Sequence, residues 1–209
     1  MIRVVLVDDH TIVRKGISQF LEDDFNIEVV GESGDGRSLF RILEETEVDI
    51  IILDISLPGK SGIAILKELR NQYPKIKVLV LSMHPEEQYA IRVIKAGAYG
   101  YLTKGGSPKE FINAIHKIHK GKKYISPSLA EYMADHIEND YPKPGYEKLS
   151  DREFEVMNLL VSGQSISEIA GKMHLSVKTI STYRRRILNK LNLRNNSELI
   201  HYAIKNNLA

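Results

Sequence analysis

The first part of the chain alternates between two hydrophobic periods. Short apolar runs recur at residues 3–7, 28–30, 49–53, 77–81 and 100–102. Val5-Leu6-Val7, Ile50-Ile51-Ile52-Leu53 and Val78-Leu79-Val80-Leu81 carry no polar position, the pattern of strands buried on both faces of a parallel sheet. Between the runs, apolar residues return at the 3.6-residue period over 11–22, 36–46, 61–72, 86–96 and 107–119, predicting five helices. Five successive βα units imply a doubly wound α/β domain of the flavodoxin-like (βα)5 class. The alternation stops near residue 120. Residues 127–137 place Leu129, Tyr132, Met133 and Ile137 on one side of a short helix, and Asn139-Asp140-Tyr141-Pro142-Lys143-Pro144-Gly145 cannot extend it. From Ser150 onward only helical patterns remain. Ser150-Asp151-Arg152-Glu153 reads as a capping box, Gly163 as a helix stop, and Ser165 and Ser176 as N-caps. A last helix is expected from 195–197 to about 207. The predicted organisation is an α/β domain at 1–120, a linker with a short helix at 121–147, and an all-α domain of four helices at 148–209.

Composition narrows the chemistry. The absence of cysteine excludes disulfides, thiolate metal sites and a thiol nucleophile. Met1-Ile2-Arg3-Val4-Val5-Leu6-Val7 is closed by Asp8-Asp9, too short for a signal peptide. No apolar stretch approaches the ~18 residues a membrane span needs, so a cytoplasmic protein with no membrane partner is expected. The net charge of +2 is divided unevenly: residues 148–209 carry +5 and the preceding 147 residues −3. A basic domain behind a mildly acidic one suggests a polyanion partner for the second.

Ligands of open parallel sheets bind beyond the carboxyl ends of the strands, where the strand order reverses. The first strand there ends in Asp8-Asp9 and the third in Asp54. Three convergent carboxylates repel one another unless a cation joins them, and an oxygen-only set favours Mg²⁺. Ser82 ends the fourth strand and Lys104 follows the fifth, adding a hydroxyl and an ammonium. Nucleophilic carboxylate, metal, fixed cation and hydrogen-bond donor together make a phosphoryl site. A single Asp at a strand end is most often only a cap or turn former; five such residues at four strand ends are not explained that way. His84, just past Ser82, has the side chain to accept a phosphoryl group, but an exposed loop histidine is more often inert.

Val5-Leu6-Val7-Asp8-Asp9-His10, Ile52-Leu53-Asp54-Ile55-Ser56-Leu57-Pro58-Gly59-Lys60-Ser61-Gly62, Val80-Leu81-Ser82 and Ala96-Gly97-Ala98-Tyr99-Gly100-Tyr101-Leu102-Thr103-Lys104 resemble the receiver domain of bacterial response regulators. The resemblance implies that Asp54 is the phosphoacceptor. It also implies that Asp8, Asp9, Asp54 and the Ser56 carbonyl hold Mg²⁺, and that Ser82 and Lys104 contact the phosphoryl oxygens. Tyr101 matches the family's switch aromatic, though from the residues alone it more often reads as simple packing. Many receivers have proline after the conserved lysine, in a cis peptide. Here Gly105 follows, which leaves the isomer of the Lys104–Gly105 bond open.

In the basic domain, residues 165–173 and 176–191 form two helical patterns separated by His174-Leu175, as in a helix-turn-helix. Ile180, Ile187 and Leu191 mark the expected buried stripe, and Lys178, Ser181, Thr182, Arg185 and Arg186 occupy other faces. Such a helix suits a major groove, although a solvated basic face has the same pattern. Leu149-Ser150-Asp151-Arg152-Glu153-Phe154-Glu155-Val156, Gly163-Gln164-Ser165-Ile166-Ser167-Glu168-Ile169-Ala170, Leu175-Ser176-Val177-Lys178-Thr179-Ile180-Ser181 and Lys190-Leu191-Asn192-Leu193 resemble the LuxR-type helix-turn-helix. A receiver followed by this domain is similar to the NarL/FixJ subfamily. The resemblance places Ser181, Thr182 and Arg185 at base-contacting positions, and Lys178, Thr179, Tyr183, Arg184 and Lys190 at phosphate or flanking ones. Two departures are Ile166 in place of a usual asparagine and Tyr183 in place of a common histidine.

The expectation is therefore a transcriptional regulator, not an enzyme on other substrates. A sensor histidine kinase donates a phosphoryl group to Asp54, and phosphorylation favours a homodimer on double-stranded DNA. Two other readings of the residues stay open: a Mg²⁺-dependent phosphatase or phosphotransferase with an aspartyl intermediate, and a constitutive DNA-binding protein with an unused receiver.

Overall fold

The computed structural model describes residues 1–138, 145–206 and 208, the last four of the first stretch by their backbone only. They form two units, Met1–Tyr132 and Met133–Ala209. The first holds five strands, β1 (Ile2–Val7), β2 (Ile27–Ser33), β3 (Ile50–Leu53), β4 (Lys77–Ser82) and β5 (Gly100–Thr103). They alternate with helices α1 (Thr11–Leu21), α2 (Gly36–Glu45), α3 (Gly62–Gln72), α4 (Glu86–Ala96) and α5 (Pro108–His119). All pairings are parallel, in the order β2-β1-β3-β4-β5. The order reverses at β1 and β3, so the crevice beyond their carboxyl ends is where the fold offers a ligand site.

Side chains of adjacent strand residues point to opposite faces. Val4, Leu6, Ile50, Ile52, Leu79 and Leu81 pack on one face with Leu21 of α1 and Phe111, Ala114, Ile115 and Ile118 of α5. The alternate positions Val5, Ile51, Leu53 and Val80 are equally buried, as are Leu39, Ile65, Leu66 and Val93 of α2, α3 and α4. Each such side chain contributes about 1.5–3 kcal/mol by leaving water. The edge strand β2 is longer than the predicted 28–30. Val4 pairs with Val29 but Val5 with Gly31, a bulge that leaves Val30 unopposed and breaks the apolar alternation.

Helix α6 (Pro127–Glu138) follows, and its first residues belong to the first unit. Tyr124 adds to the edge of β5, its amide donating to the Tyr99 carbonyl at 2.7 Å, and Leu129 is buried. The first body therefore runs to Tyr132, beyond the expected boundary at 120. Residues 139–144 of the expected linker lie outside the described residues, as does the side chain of Ile137.

In the second unit a 3₁₀ turn at Gly145–Lys148 precedes α7 (Asp151–Val161), α8 (Ile166–Lys172), α9 (Val177–Leu191) and α10 (Asn196–Lys205). Ser150 with Glu153 and Ser165 with Glu168 form complete capping boxes. The Ser176 hydroxyl accepts from the Thr179 amide at 3.0 Å, and Gly163 takes the left-handed conformation just past α7. The buried positions of α9 are Ile180, Ile187 and Leu188; Leu191, expected in the stripe, is only half-buried. No helix among the described residues is long and apolar enough to cross a membrane.

Candidate functional site

The carboxyl ends of β1 and β3 are fixed by ladder bonds that run one residue past each strand, from β3 to β1 and from β1 to β2. The Asp54 amide donates to the Val7 carbonyl at 2.8 Å, and the Asp8 amide to Ser33 at 3.0 Å. Asp8 and Asp54 are thereby turned into one crevice with side chains 5% and 3% exposed. The Lys104 ammonium reaches across from the end of β5 and lies 2.6 Å from Asp8 Oδ2 and 2.6 Å from Asp54 Oδ2. Burial alone would lower its pKa, but the hydrogen bonds that it donates to both carboxylates outweigh this and hold it above the usual lysine value.

The Ser56 amide donates to Asp54 Oδ1 at 2.9 Å, fixing the carboxylate rotamer. Ser82 is fully buried, and its hydroxyl accepts from the His84 amide at 3.2 Å. Tyr101 is buried too, and its hydroxyl donates to the His84 carbonyl at 2.7 Å. The Lys104–Gly105 peptide, left open by the sequence, is trans. His84 sits beside the crevice, with Nε2 at 3.3 Å from the Ser56 hydroxyl and its ring stacked on Tyr89.

The backbone at Asp54 is also held from below. A Cβ on Gly62 would stand 2.4 Å from Ile55 Cα and 2.5 Å from the Asp54 carbonyl oxygen. Only a glycine lets the start of α3 approach the strand end this closely.

Asp8, Asp9, His10 and Asp54 offer ligand atoms within 4.8 Å of one another. Against the three carboxylates, among the described residues, stands the Lys104 ammonium, while Arg14 meets the backbone carbonyl of Asp8 and not its carboxylate, so the crevice carries excess negative charge on hard oxygen donors. These residues fit a divalent cation of the Mg²⁺ kind. Sequence reasoning missed His10, whose Nδ1 lies 2.9 Å from Asp9 Oδ1 and 3.3 Å from Asp8 Oδ1. The available signal was its place directly after two aspartates at a strand end.

In the second unit, Lys178, Thr182 and Arg185 follow at i, i+4 and i+7, one face of α9 away from Ile180 and Ile187. Lys178, Ser181 and Arg185 are exposed, and Thr179, Thr182 and Tyr183 half-buried. The remaining two expected contacts are engaged inside the domain. Arg184 Nε donates to Asn196 Oδ1 at 2.7 Å, at the start of α10. Lys190 Nζ lies 2.6 Å from Glu153 Oε2, on α7. Both therefore hold helices together, a role that helical position alone does not reveal. Val177, expected only as part of a motif, is 51% exposed in the first turn of α9.

The Glu153–Lys190 pair carries a pH dependence. Burial raises the Glu153 pKa, but Lys190 and the Ser150 amide and hydroxyl outweigh it and hold it below the usual value. A lowered folded-state value means that the pair stabilises at neutral pH. That contribution is lost as the pH falls from about 4.3, the unfolded value, through the folded one. With the lysine partly in solvent, about 1 kcal/mol is at stake. Urea midpoints of wild type and Glu153→Gln should differ at pH 7 and converge in acid; a constant gap would refute the pairing.

Comparison with known proteins agrees with this geometry. The family model of the response regulator receiver domain matches residues 4–116, and that of the luxR family of bacterial regulatory proteins residues 147–203. Response regulator UvrY of Escherichia coli K12 is 37% identical over 210 residues, covering 100% of this chain and 96% of that one. Response regulator GacA of Pseudomonas aeruginosa is 34% identical, covering 100% and 98%. Among solved structures, RcsB of Salmonella typhimurium matches with a TM-score of 0.72 at 29% identity, over 98% of this chain and 97% of that one. An RcsB–DNA complex matches with a TM-score of 0.62 at 30% identity, over 97% and 98%. Receiver domains generally bind Mg²⁺ at an acidic pocket, and Asp8, Asp9 and Asp54 form such a pocket here. A parallel five-stranded body with its carboxylates at the switch point, followed by a capped helix-turn-helix unit, is thus matched along both halves, and the chain belongs to the NarL/FixJ family of response regulators, receiver first and LuxR-type domain second.

Proposed function

We propose that Asp54 accepts a phosphoryl group from the phosphohistidine of a sensor kinase, and that this controls binding of double-stranded DNA through α9. The observation that carries the reading is the Lys104 ammonium, 2.6 Å from both Asp8 and Asp54 at the reversal point of the sheet. An Asp54 oxygen attacks phosphorus, the P–N bond to histidine breaks, and an acyl phosphate forms. Asp9, Asp54 and the Ser56 carbonyl would hold Mg²⁺, with Asp8 beside it, and the ion would neutralise charge on the phosphoryl oxygens. Lys104 exchanges a carboxylate oxygen for a phosphoryl oxygen. Ser82 turns its hydroxyl toward the same group, and Tyr101 follows as the switch aromatic. Hydrolysis of this acyl phosphate is the only turnover assigned, and the protein acts in the cytoplasm.

On the DNA side, Ser181, Thr182 and Arg185 are assigned to base edges, with Val177 presented to a thymine methyl. Lys178, Thr179 and Tyr183 are assigned to phosphates or flanking positions, with Arg184 and Lys190 supporting the helix. RcsB has been solved bound to promoter DNA with a phosphomimetic and as dimers on DNA. A phosphorylation-favoured dimer on two half-sites is the corresponding reading here. Arg185→Ala is expected to cost about 1–3 kcal/mol and relax sequence preference, whereas Lys178→Ala should weaken all sequences alike and lower the salt slope by about one. Titrating each variant on selected and scrambled duplexes over a salt series separates the two roles.

The direct test of the reading treats the full chain with acetyl phosphate and Mg²⁺. Intact mass should rise by one phosphoryl group, and affinity for a duplex selected from a random library should rise with it. Tight DNA binding without any mass gain would favour the constitutive alternative.

A further inference from the structure

Two hydrogen-bonded groups, joined by the short chain segment from His84 to Glu86, lie between the phosphoryl site and α6. The Ser82 hydroxyl accepts from the His84 amide, and the His84 carbonyl from Tyr101. Two residues on, Glu86 opens α4. Its carboxylate accepts a short hydrogen bond from the Ser126 hydroxyl and a longer one, 3.4 Å, from Ser128. The two hydroxyls are 3.1 Å apart.

Ser126 is 3% exposed and stands immediately before α6. Its hydroxyl oxygen accepts from the Leu129 amide at 3.1 Å and its carbonyl from the Ala130 amide at 3.0 Å. One hydroxyl therefore caps α6 and grips α4 at once. An N-cap needs only to accept; its proton is free to go to water. Here the proton goes instead to a carboxylate in the first turn of the helix that follows the Ser82 loop. Burial, with the nearby Glu110 and Glu87 charges, holds the Glu86 carboxyl above the usual range despite Ser126.

We propose that Glu86 and Ser126 are positioning residues of the phosphorylation switch, carrying a change at Ser82 into the first turn of α6. The inference rests on the reading of Asp54 as phosphoacceptor. When the Ser82 hydroxyl turns to a phosphoryl oxygen it leaves the His84 amide, and the loop into α4 rearranges. Glu86 moves with that loop, so the α6 cap has different strengths in the two states, as any coupling requires. α6 leads in sequence toward the DNA-binding unit.

The test measures amide exchange of residues 125–132 in the full chain, with and without acetyl phosphate and Mg²⁺. Wild type, Glu86→Ala, Ser126→Ala and Ser126→Thr are compared, with intact mass scoring Asp54 phosphorylation in each. All four are expected to be phosphorylated equally. Wild type and Ser126→Thr should change exchange at Leu129 and Ala130 on phosphorylation, and should tighten on DNA by about 5–150-fold, the range of such couplings. In Glu86→Ala and Ser126→Ala both responses should fall to within about two-fold of none, below that range. If Ser126→Ala loses the helix outright, Glu86→Ala decides, since it leaves the capping oxygen in place. Full responses in Glu86→Ala overturn the proposal, as does a phosphorylated wild type with unchanged exchange at α6. A wild type that takes up no phosphoryl group overturns the Asp54 reading instead, and this inference with it.

Discussion

Asp54→Ala is expected to remain folded, to gain no phosphoryl mass, and to bind DNA with an affinity that acetyl phosphate no longer changes. Retention of the fold follows from the shared ammonium. Removing Asp54 leaves Lys104 with Asp8 at 2.6 Å, still a closed pair. Lys104→Ala is the harsher change. It strands Asp8 and Asp54 together in the crevice without the ammonium that both carboxylates share, and losing one partner of a buried ion network costs about 3–5 kcal/mol. Denaturant midpoints should therefore rank wild type and Asp54→Ala well above Lys104→Ala, and Mg²⁺ should restore much of the deficit in Lys104→Ala. Equal midpoints for the two variants, or a response to acetyl phosphate in Asp54→Ala, would remove Asp54 from the role assigned to it.

Gly62→Ala should disable the same site without touching a charge. The added methyl meets backbone at 2.4 and 2.5 Å, not a flexible side-chain tip, so either α3 or the Asp54 turn must move. Overpacking of this kind costs about 1–3 kcal/mol or more. The Gly62 amide bond to the Ile55 carbonyl, 3.1 Å, lies in the strained segment. Thermal unfolding should show the loss, and Mg²⁺ affinity should fall in parallel because Asp54 and Ser56 sit on the displaced turn. Gly59→Ala is the contrast: nothing lies within 4 Å of its Cβ, and only its left-handed φ of 72° opposes the change. A Gly62→Ala protein with wild-type stability and Mg²⁺ affinity would show that the turn yields freely.

The central strands were legible because burial on both faces leaves no polar position to confuse the pattern, and the Asp8, Asp9, Asp54, Ser82 and Lys104 set followed from where those runs end. β2 was legible only in part, since a half-exposed edge strand with a bulge at Val30 has neither a continuous nor an alternating pattern. The segment 121–132 reads as linker because its few anchors, Tyr124, Ser126 and Leu129, are spread among lysines and serines; partners that fix them lie on α4, on α5 and just before β5. The same limit hid the roles of Arg184 and Lys190. A basic residue on a helix has one appearance in sequence whether it faces solvent or an acid 37 positions away, as Lys190 faces Glu153. The exposed basic side of α9 was legible as periodicity, but which of its side chains are engaged within the domain depends on such long-range partners.

Those partners bear on the thermodynamics of docking. Long basic side chains normally surrender rotamer entropy when they are immobilised at an interface, about 0.5–1.5 kcal/mol each. Arg184 and Lys190 are already held by Asn196 and Glu153. They contribute positive potential to the α9 unit with few degrees of freedom left to freeze. If α9 is the element that meets DNA, as proposed, it does so pre-organised, and loosening either anchor should appear as a less favourable binding entropy in calorimetry before any contact to DNA is lost.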